Sequence, residues 1–142
     1  HKNEIKSVVA HEMGHYIQKD TLRFILIEGL LIFPMFYLTG YIFNIWAGFS
    51  NIYNLPFFLL IMYGLYSIVD PMILAYNRYR EEKADSFALD VVGKSIPVIS
   101  SFKRLSDIDL AQMNPHSLVK IFFYSHPPPN ERIDKAKETY PE

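Results

Sequence analysis

The chain has 142 residues, a net charge of −1 and a pI of about 6.6, and it contains no cysteine. This length suits one domain. The balanced charge leaves no surplus of Lys and Arg for the phosphates of a nucleic acid, so no nucleic-acid partner is expected. Without cysteine, disulfide bonds, thiolate ligands and a cysteine nucleophile are excluded, and any metal ion must be bound by His, Asp or Glu.

The first predicted element is an amphipathic helix from Glu4 to Lys19, within residues 1–21. It carries the pattern HExxH, as HEMGH from His11 to His15. Four residues at about 100° each bring both imidazoles to one face, where they can bind one zinc ion while Glu12 addresses a water molecule beside it. Two histidines alone make a weak site, so we expect a further His, Glu or Asp ligand from elsewhere.

The next segment is strongly apolar, with no Asp, Glu, Lys or Arg from Gly29 to Val69. A membrane core about 30 Å thick needs roughly 20 apolar helical residues, so this segment has room for two spans. A polar turn at residues 50–54 divides it. We therefore expect an integral-membrane helical hairpin, Leu22 to Phe49 and Leu55 to Tyr76, in contact with membrane lipids. The alternative, a buried hairpin in a soluble protein, rarely contains two long helices that are apolar all round.

Basic residues predict the orientation of this hairpin. They occur on both sides of it, and the connecting turn has none. The positive-inside rule therefore places both ends, and the zinc site, on the cytoplasmic side of the membrane. The basic residues concerned are Lys2, Lys6, Lys19 and Arg23 before the hairpin and Arg78, Arg80 and Lys83 after it.

Only helices are predicted after the hairpin, in residues 77–142, so the fold class is all-α. The first of these helices runs from Asn77 to Val92 and ends at Gly93. Because the chain opens within an amphipathic pattern and lacks a signal-peptide layout, we interpret residues 1–142 as the catalytic core of a larger polytopic protein. Further helices are expected at Ile96 to Ser106, Pro115 to Tyr124 and Asn130 to Thr139.

The helix predicted at Asn77 supplies candidates for the missing ligand. It carries Glu81, Glu82 and Asp85 within NRYREEKADSFALD. Two antiparallel spans return this segment to the membrane side that holds HExxH, although the two motifs are far apart in sequence. We expect the two polar clusters to meet in space.

Three separated motifs, HKNEIKSVVAHEMGH, NRYREEKADSFALD and YSHPPPNERI, resemble the type I CAAX prenyl endopeptidases and their bacterial and archaeal relatives in order and approximate spacing. The heat-shock membrane protease HtpX is similar but more distant. The resemblance covers nearly the whole chain. It implies a zinc-dependent endopeptidase with one zinc ion per chain in a gluzincin-type HExxH/ExxAD site. Its substrates would be peptides or proteins, either prenylated C-terminal peptides or misfolded membrane proteins.

The resemblance also implies a role for individual residues. His11 and His15 would bind zinc, with Glu81 rather than Glu82 as the third ligand. Asp85 would accept a hydrogen bond from a zinc-binding histidine and orient it. The remaining two roles concern catalysis: Glu12 would act as general base, and His126, in the SHPP phrase, would stabilise the oxyanion of the tetrahedral intermediate.

Nearby charges have simpler interpretations. Glu82 and Lys83 are expected to form a solvated or partner-facing pair. Arg78 would either pair with a carboxylate of the site or contact a lipid headgroup.

Three other functions remain as alternatives. The first is a catalytically silent membrane protein with a structural or partner-recruiting metal site, but such a site needs no general base at Glu12 and usually has a fourth protein ligand. The second is a transporter hairpin, which the position of the ligands at the ends of the spans argues against. The third is a serine hydrolase, and no GxSxG motif is present.

Overall fold

The computed structural model describes residues 2–48 and 51–141. Within these residues no strand occurs, which confirms the predicted all-α class. The chain forms two compact units, one from His1–Asp20 with Ile73–Glu142 and the other from Thr21–Met72. Its helices are α1 (Lys2–Ile17), α2 (Asp20–Trp46), α3 (Leu55–Val92), α4 (Ser95–Ile108), α5 (Ser117–Phe123) and α6 (Pro129–Thr139), with a 3-10 turn at Ile52–Asn54 before α3.

Helix α3 is longer than the sequence predicts. The span expected to end at Tyr76 and the separate helix expected from Asn77 are parts of one continuous helix. No Gly or Pro occurs between Pro71 and Gly93, so nothing in the backbone chemistry interrupts it. The helix ends as predicted before Gly93, whose φ of 68° is the left-handed conformation that glycine adopts without strain.

In the unit Thr21–Met72, the two apolar segments pack through aromatic rings. Phe43 contacts Phe58 edge to face, with ring centroids 5.5 Å apart, and lies 6.4 Å from Phe57. Met35 and Thr39 are buried like Phe43, and a spacing of four residues places all three on one side of α2. This side of α2 therefore forms the interior of the unit.

Most other apolar side chains of α2 and α3 are exposed. By length and composition, both helices can cross a membrane. Only 11% and 6% of their most apolar windows are buried, whereas the core helix of a soluble protein is mostly buried. This exposure favours the membrane hairpin over the buried one. Phe49, where the first span was expected to end, and Ser50, in the polar turn, lie outside the described residues.

In the other unit, α4 packs against both α1 and α6. The core of this unit consists of five buried side chains, one from α3, two from α4 and two from α6. Because α4 contacts the helix that carries HExxH, this core supports the site. The core residues are Leu89, Val98, Phe102, Ile133 and Ala136.

Helices α1 and α3 approach closely at Gly14. A Cβ atom there would lie only 3.1 Å from the Cα of Ala84, which is itself fully buried. Ser7 and Ala10 lie on the same side of α1 and are also buried. This row of small residues lets the two backbones come close enough for the side chains of HExxH to reach those of α3.

Arg78 holds the end of α5, which neither sequence interpretation anticipated. Its Nη1 donates hydrogen bonds to the carbonyl oxygens of Lys120, at 3.1 Å, and Tyr124, at 2.7 Å. The last carbonyls of a helix have no partner within the helix, and a cation is favourable beside them. Arg78 thereby fixes the segment that leads to His126.

Candidate metal centre

Three side chains from α1 and α3 converge on one point. The Nε2 atoms of His11 and His15 lie 3.1 Å apart, and each lies 3.3 Å from an oxygen of Glu81. All three sequence-predicted ligands are therefore together. Four ligands at about 2.0–2.1 Å around a tetrahedral zinc ion are separated from one another by roughly 3.3–3.4 Å. The two distances to Glu81 match this value, and the distance between the two nitrogens is slightly shorter.

The Nδ1 atoms of His11 and His15, on the far side of each ring from the converging Nε2 atoms, each contact a carboxylate. Asp85 Oδ1 lies 2.9 Å from Nδ1 of His11, and Asp20 Oδ2 lies 2.7 Å from Nδ1 of His15. A carboxylate can only accept, so each Nδ1 carries a proton, and each ring can present an unshared pair to a metal ion at Nε2 once that nitrogen has no proton. Two unshared pairs 3.1 Å apart repel each other unless a cation lies between them. The donor set of two imidazoles and one carboxylate suits zinc.

Glu81 provides a separate indication. Its Oε2 atom is buried, lies 3.3 Å from Nε2 of His11 and forms no well-aligned hydrogen bond among the described residues. A buried carboxylate oxygen without a partner carries a desolvation cost. Coordination of a metal ion held by His11 and His15 would remove that cost, so the residues present fit a bound zinc ion.

Electrostatics in the metal-free site agree with this geometry. Burial lowers the pKa of His11, but Asp85 and Glu81 more than offset that effect and raise it to about 9. Burial raises the pKa of Glu81, but His11 is the main group that holds it below its ordinary value. Without metal, His11 is therefore protonated at neutral pH, and a proton occupies the place of a cation.

The two carboxylates that contact the Nδ1 atoms, Asp85 and Asp20, each also contact an arginine. Asp85 accepts two hydrogen bonds from Arg132, at 2.6 Å and 2.7 Å, and Asp20 Oδ1 lies 3.0 Å from Nε of Arg80. Burial raises the pKa of Asp85, but His11 and Arg132 hold it below its ordinary value. Of these residues, sequence reasoning singled out only Asp85 for such a role.

The missed residues left weak signals in the sequence. Asp20 is an acidic residue placed at the first turn of an apolar helix, and Arg80 directly precedes Glu81. Arg132 lies in the NERI phrase. None of these positions has a spacing that by itself predicts contact with a histidine.

The two residues predicted to act in catalysis lie at a cleft of about 680 Å³ beside the ligands. Glu12 lines this cleft, as do His11, Glu81 and His126. The Nε2 atom of His126 lies 3.4 Å from Oε1 of Glu81, and its Nδ1 lies 2.9 Å from the hydroxyl of Ser125. Glu12 thus lines the cleft and His126 contacts the Glu81 carboxylate, and their catalytic roles stay predictions.

The neighbouring charges lie outside this centre. Glu82 is exposed, with Oε2 3.5 Å from Nζ of Lys135. Lys83 lies over the ring of Tyr79, 5.5 Å from its centroid. The pairing of Glu82 with Lys83 expected from the sequence is therefore wrong in its partners, although Glu82 is a solvated charge as expected.

Comparison with known proteins gives one family. The family model described as Peptidase family M48 matches residues 1–140. The protein named "Uncharacterized metalloprotease YhfN" of Bacillus subtilis (strain 168) is 34% identical over 147 residues, which cover 96% of this chain and 34% of that protein. Protease HtpX of Idiomarina loihiensis is 30% identical over 154 residues, which cover 96% of this chain and 53% of that protein. Protease HtpX of Glaesserella parasuis is 27% identical over 155 residues, which cover 96% of this chain and 54% of that protein.

The chain thus spans between a third and about half of the length of these relatives. Their names describe proteases and specify no prenylated substrate, so they support the wider resemblance and leave the CAAX branch unassigned. The family match covers nearly the whole chain and includes the two helices that carry the candidate ligands. The chain therefore belongs to Peptidase family M48, a family of zinc-dependent metalloproteases.

Proposed function

We propose that the full-length protein is an integral-membrane zinc endopeptidase. The observation that carries this proposal is the convergence of two imidazole Nε2 atoms and the Glu81 carboxylate beside an open cleft. His11, His15 and Glu81 would hold one zinc ion per chain. When bound, the zinc ion would supply Lewis acidity that activates a water molecule and polarises the scissile carbonyl.

Glu12 is the general base in this proposal. It follows His11 directly in α1, so its carboxylate faces the cleft while the histidine faces the metal. It would accept the proton of the attacking water and deliver that proton to the leaving amine. No covalent intermediate with the protein is needed.

His126 is the proposed oxyanion donor. Its imidazole borders the same cleft, its side chain is 60% exposed, and its Nε2 atom lies 3.4 Å from Oε1 of Glu81, on the side of the candidate metal position. Arg78 fixes the end of α5 and Pro127 follows His126, which limits the movement of this ring. Preorganised donors of this kind contribute a few kcal/mol to stabilisation of a transition state.

A purely structural metal site is the less favoured function. Structural zinc sites are usually closed by a fourth protein ligand. Here the described residues provide three ligand positions, and the cleft opens beside them. This arrangement leaves room for water and substrate.

The physiological substrate is a peptide or protein segment in this proposal. Two classes follow from the family resemblance, prenylated C-terminal peptides and misfolded membrane proteins. The side chains of Val98, Phe102 and Leu105 contribute apolar lining to the cleft, which suits apolar side chains of a substrate. Cleavage of one peptide sequence with and without a prenyl group would separate the two classes, because only the CAAX-type activity depends on the modification.

Metal content tests the ligand assignment. We expect the full-length protein purified in detergent to hold about one zinc ion per chain, by analogy with three-ligand catalytic sites. His11→Ala and Glu81→Gln should lose this zinc, as measured by plasma mass spectrometry. Glu82→Gln is the matched control, because it changes the adjacent, exposed carboxylate in the same way. Equal zinc loss in Glu81→Gln and Glu82→Gln would contradict the assignment.

Membrane orientation is testable because the chain has no cysteine. We propose that the zinc site faces the cytoplasm, on the basis of the basic residues that flank the hairpin. A cysteine at Tyr53, an exposed residue between the two apolar helices, should react in intact cells with a membrane-impermeant maleimide. A cysteine at Asp134, exposed on α6, should react only after the cells are opened. The reverse pattern would contradict the proposed orientation.

A further inference from the structure

We infer that Asp20 and Arg80 form a positioning pair that sets the tautomer of His15 and thereby the zinc affinity of the site; this inference rests on the proposed zinc site. No spacing rule pointed to either residue. The carboxylate of Asp20 is divided between two partners, with Oδ2 2.7 Å from Nδ1 of His15 and Oδ1 3.0 Å from Nε of Arg80. Only 2% of the Asp20 side chain and 12% of the Arg80 side chain are exposed.

The turn between α1 and α2 brings Asp20 into this position. The last turn of α1 closes with hydrogen bonds from the backbone N–H of Gln18 to the carbonyl of Gly14 and from that of Lys19 to the carbonyl of Tyr16. Lys19 has a φ of 54°, in the left-handed region that residues other than glycine rarely adopt. This reversal makes Asp20 the first residue of α2 and directs its carboxylate back to the zinc-binding histidine.

The position of the proton on His15 follows from the contacts that link Arg80, Asp20 and His15. The Nε atom of Arg80 lies 3.0 Å from Asp20 Oδ1 as an ion pair, so the carboxylate of Asp20 has a cation on one side and the His15 ring on the other. The ionised carboxylate has no proton to donate at Oδ2, so Nδ1 of His15 must donate to it. The neutral ring then has no proton on Nε2, the atom that lies 3.1 Å from Nε2 of His11 and 3.3 Å from Oε1 of Glu81. Asp20, paired with Arg80, therefore determines which nitrogen of His15 is available to a metal ion.

Arg80 is itself held in place. Its guanidinium carbon lies 5.6 Å from the centroid of the Tyr76 ring, one helical turn earlier on α3. Because Arg80 also adjoins Glu81 in the sequence, one short segment of α3 supplies both a zinc ligand and the residue that orients another.

The substitution Asp20→Asn tests the inference with little change in size. An asparagine side chain has one oxygen and one NH2 group, and the positive charge of Arg80, 3.0 Å from the present Oδ1, favours the oxygen on its side. The NH2 group would then face Nδ1 of His15 and force it to accept, which moves the ring proton to Nε2 and blocks metal binding there. We expect zinc affinity of the full-length protein to fall about 10- to 100-fold, measured by competition with a chelator of known affinity. Asp90→Asn, which makes the same change at an exposed carboxylate on α3, is the control and should bind zinc like the unchanged protein.

A double substitution separates positioning from structural support. Gln at position 80 can donate or accept, so in the variant with both Asp20→Asn and Arg80→Gln the asparagine is free to turn its oxygen toward His15. We expect this double variant to bind zinc more tightly than Asp20→Asn alone. If the pair acted only as a structural ion pair, the second substitution would add to the loss or leave it unchanged, and the inference would be overturned.

Nitrogen NMR of the His15 ring in the metal-free full-length protein gives a readout that does not depend on zinc. The proton of the neutral ring should lie on Nδ1 in the unchanged protein and on Nε2 in Asp20→Asn. The same tautomer in both proteins, or unchanged zinc affinity in Asp20→Asn, would overturn the inference.

Absence of zinc binding in the unchanged protein would instead contradict the proposed function, and the tautomer measurement would still decide the role of Asp20. If Asp20→Asn fails to fold, Asp20→Ala provides the test, because it removes the acceptor at Nδ1 of His15. The ring proton should then no longer be held on Nδ1, and an unchanged tautomer would overturn the inference.

Discussion

Replacing Glu12 by Gln is expected to lower peptidase turnover of the full-length protein by roughly 10²–10⁴-fold, because a general base and acid contributes about that much to a proton-transfer step. Glutamine has nearly the same shape but cannot take a proton from water. Glu12 lines the cleft and is not one of the three converging ligands, so the zinc content should stay at its original level. Activity on an unstructured protein substrate and zinc content would be measured on the same preparations.

The control for this change is Glu82→Gln. It removes an exposed carboxylate of the same unit that lies outside the ligand cluster, and turnover should change little. Full activity of Glu12→Gln with zinc still bound would contradict the assigned base. Loss of zinc together with activity would mean that Glu12 supports the metal site itself, which is a different role from the one proposed.

Replacing Arg132 by Met is expected to have the largest effect on stability. Arg132 makes two hydrogen bonds to Asp85, whose side chain is only 4% exposed, and its guanidinium lies 4.1 Å from the centroid of the Phe102 ring. Without Arg132, the carboxylate of Asp85 loses its buried countercharge. Breaking a buried ion pair on one side costs about 3–5 kcal/mol. Urea unfolding followed by far-ultraviolet circular dichroism would measure the loss.

The same helix provides a matched control. Lys135→Met removes a cation one turn later on α6, where the pair with Glu82 is 43% and 47% exposed. Exposed pairs contribute about 0–1 kcal/mol, so this change should have little effect. Equal destabilisation by the two substitutions would show that the pair of Arg132 and Asp85 does not stabilise the unit beyond an ordinary surface contact.

The all-α class and the two apolar helices were predictable because they depend on local properties. Helical periodicity and the absence of charge between Gly29 and Val69 are visible in a single sequence. The join at Asn77 was predicted wrongly, since the change from apolar to charged residues suggested a new helix. The side chains change there from apolar to charged, but no Gly or Pro interrupts the helix, and α3 continues to Val92.

The ligand cluster was predictable in part. HExxH is a spacing on one helix, so His11 and His15 can be placed on a common face by arithmetic alone. The choice of Glu81 over Glu82 came from family resemblance, and the structure brings Glu81 into the cluster and leaves Glu82 exposed. The contacts of Asp20 depend on the reversal at Lys19, which no sequence rule predicts for a lysine.

The contacts of Arg78 and Arg132 were not predictable for a related reason. Each arginine meets a partner more than forty residues away in the sequence, and the partner of Arg78 is a pair of backbone carbonyls. A long, flexible cation can pair with any acceptor that the fold brings within reach. Only the tertiary arrangement decides which acceptor that is.

The close approach of Gly14 and Ala84 can form only late in the synthesis of the protein. The ribosome produces HExxH before both apolar helices and Glu81 after them. A nascent chain that has reached only the first apolar helix carries two histidines and no Glu81, so its hold on zinc would be weak. The complete ligand set exists only after α1 and α3 have packed together at Gly14. In the proposed function, the metal site would therefore be completed only after the ribosome has made both apolar helices and the polar end of α3.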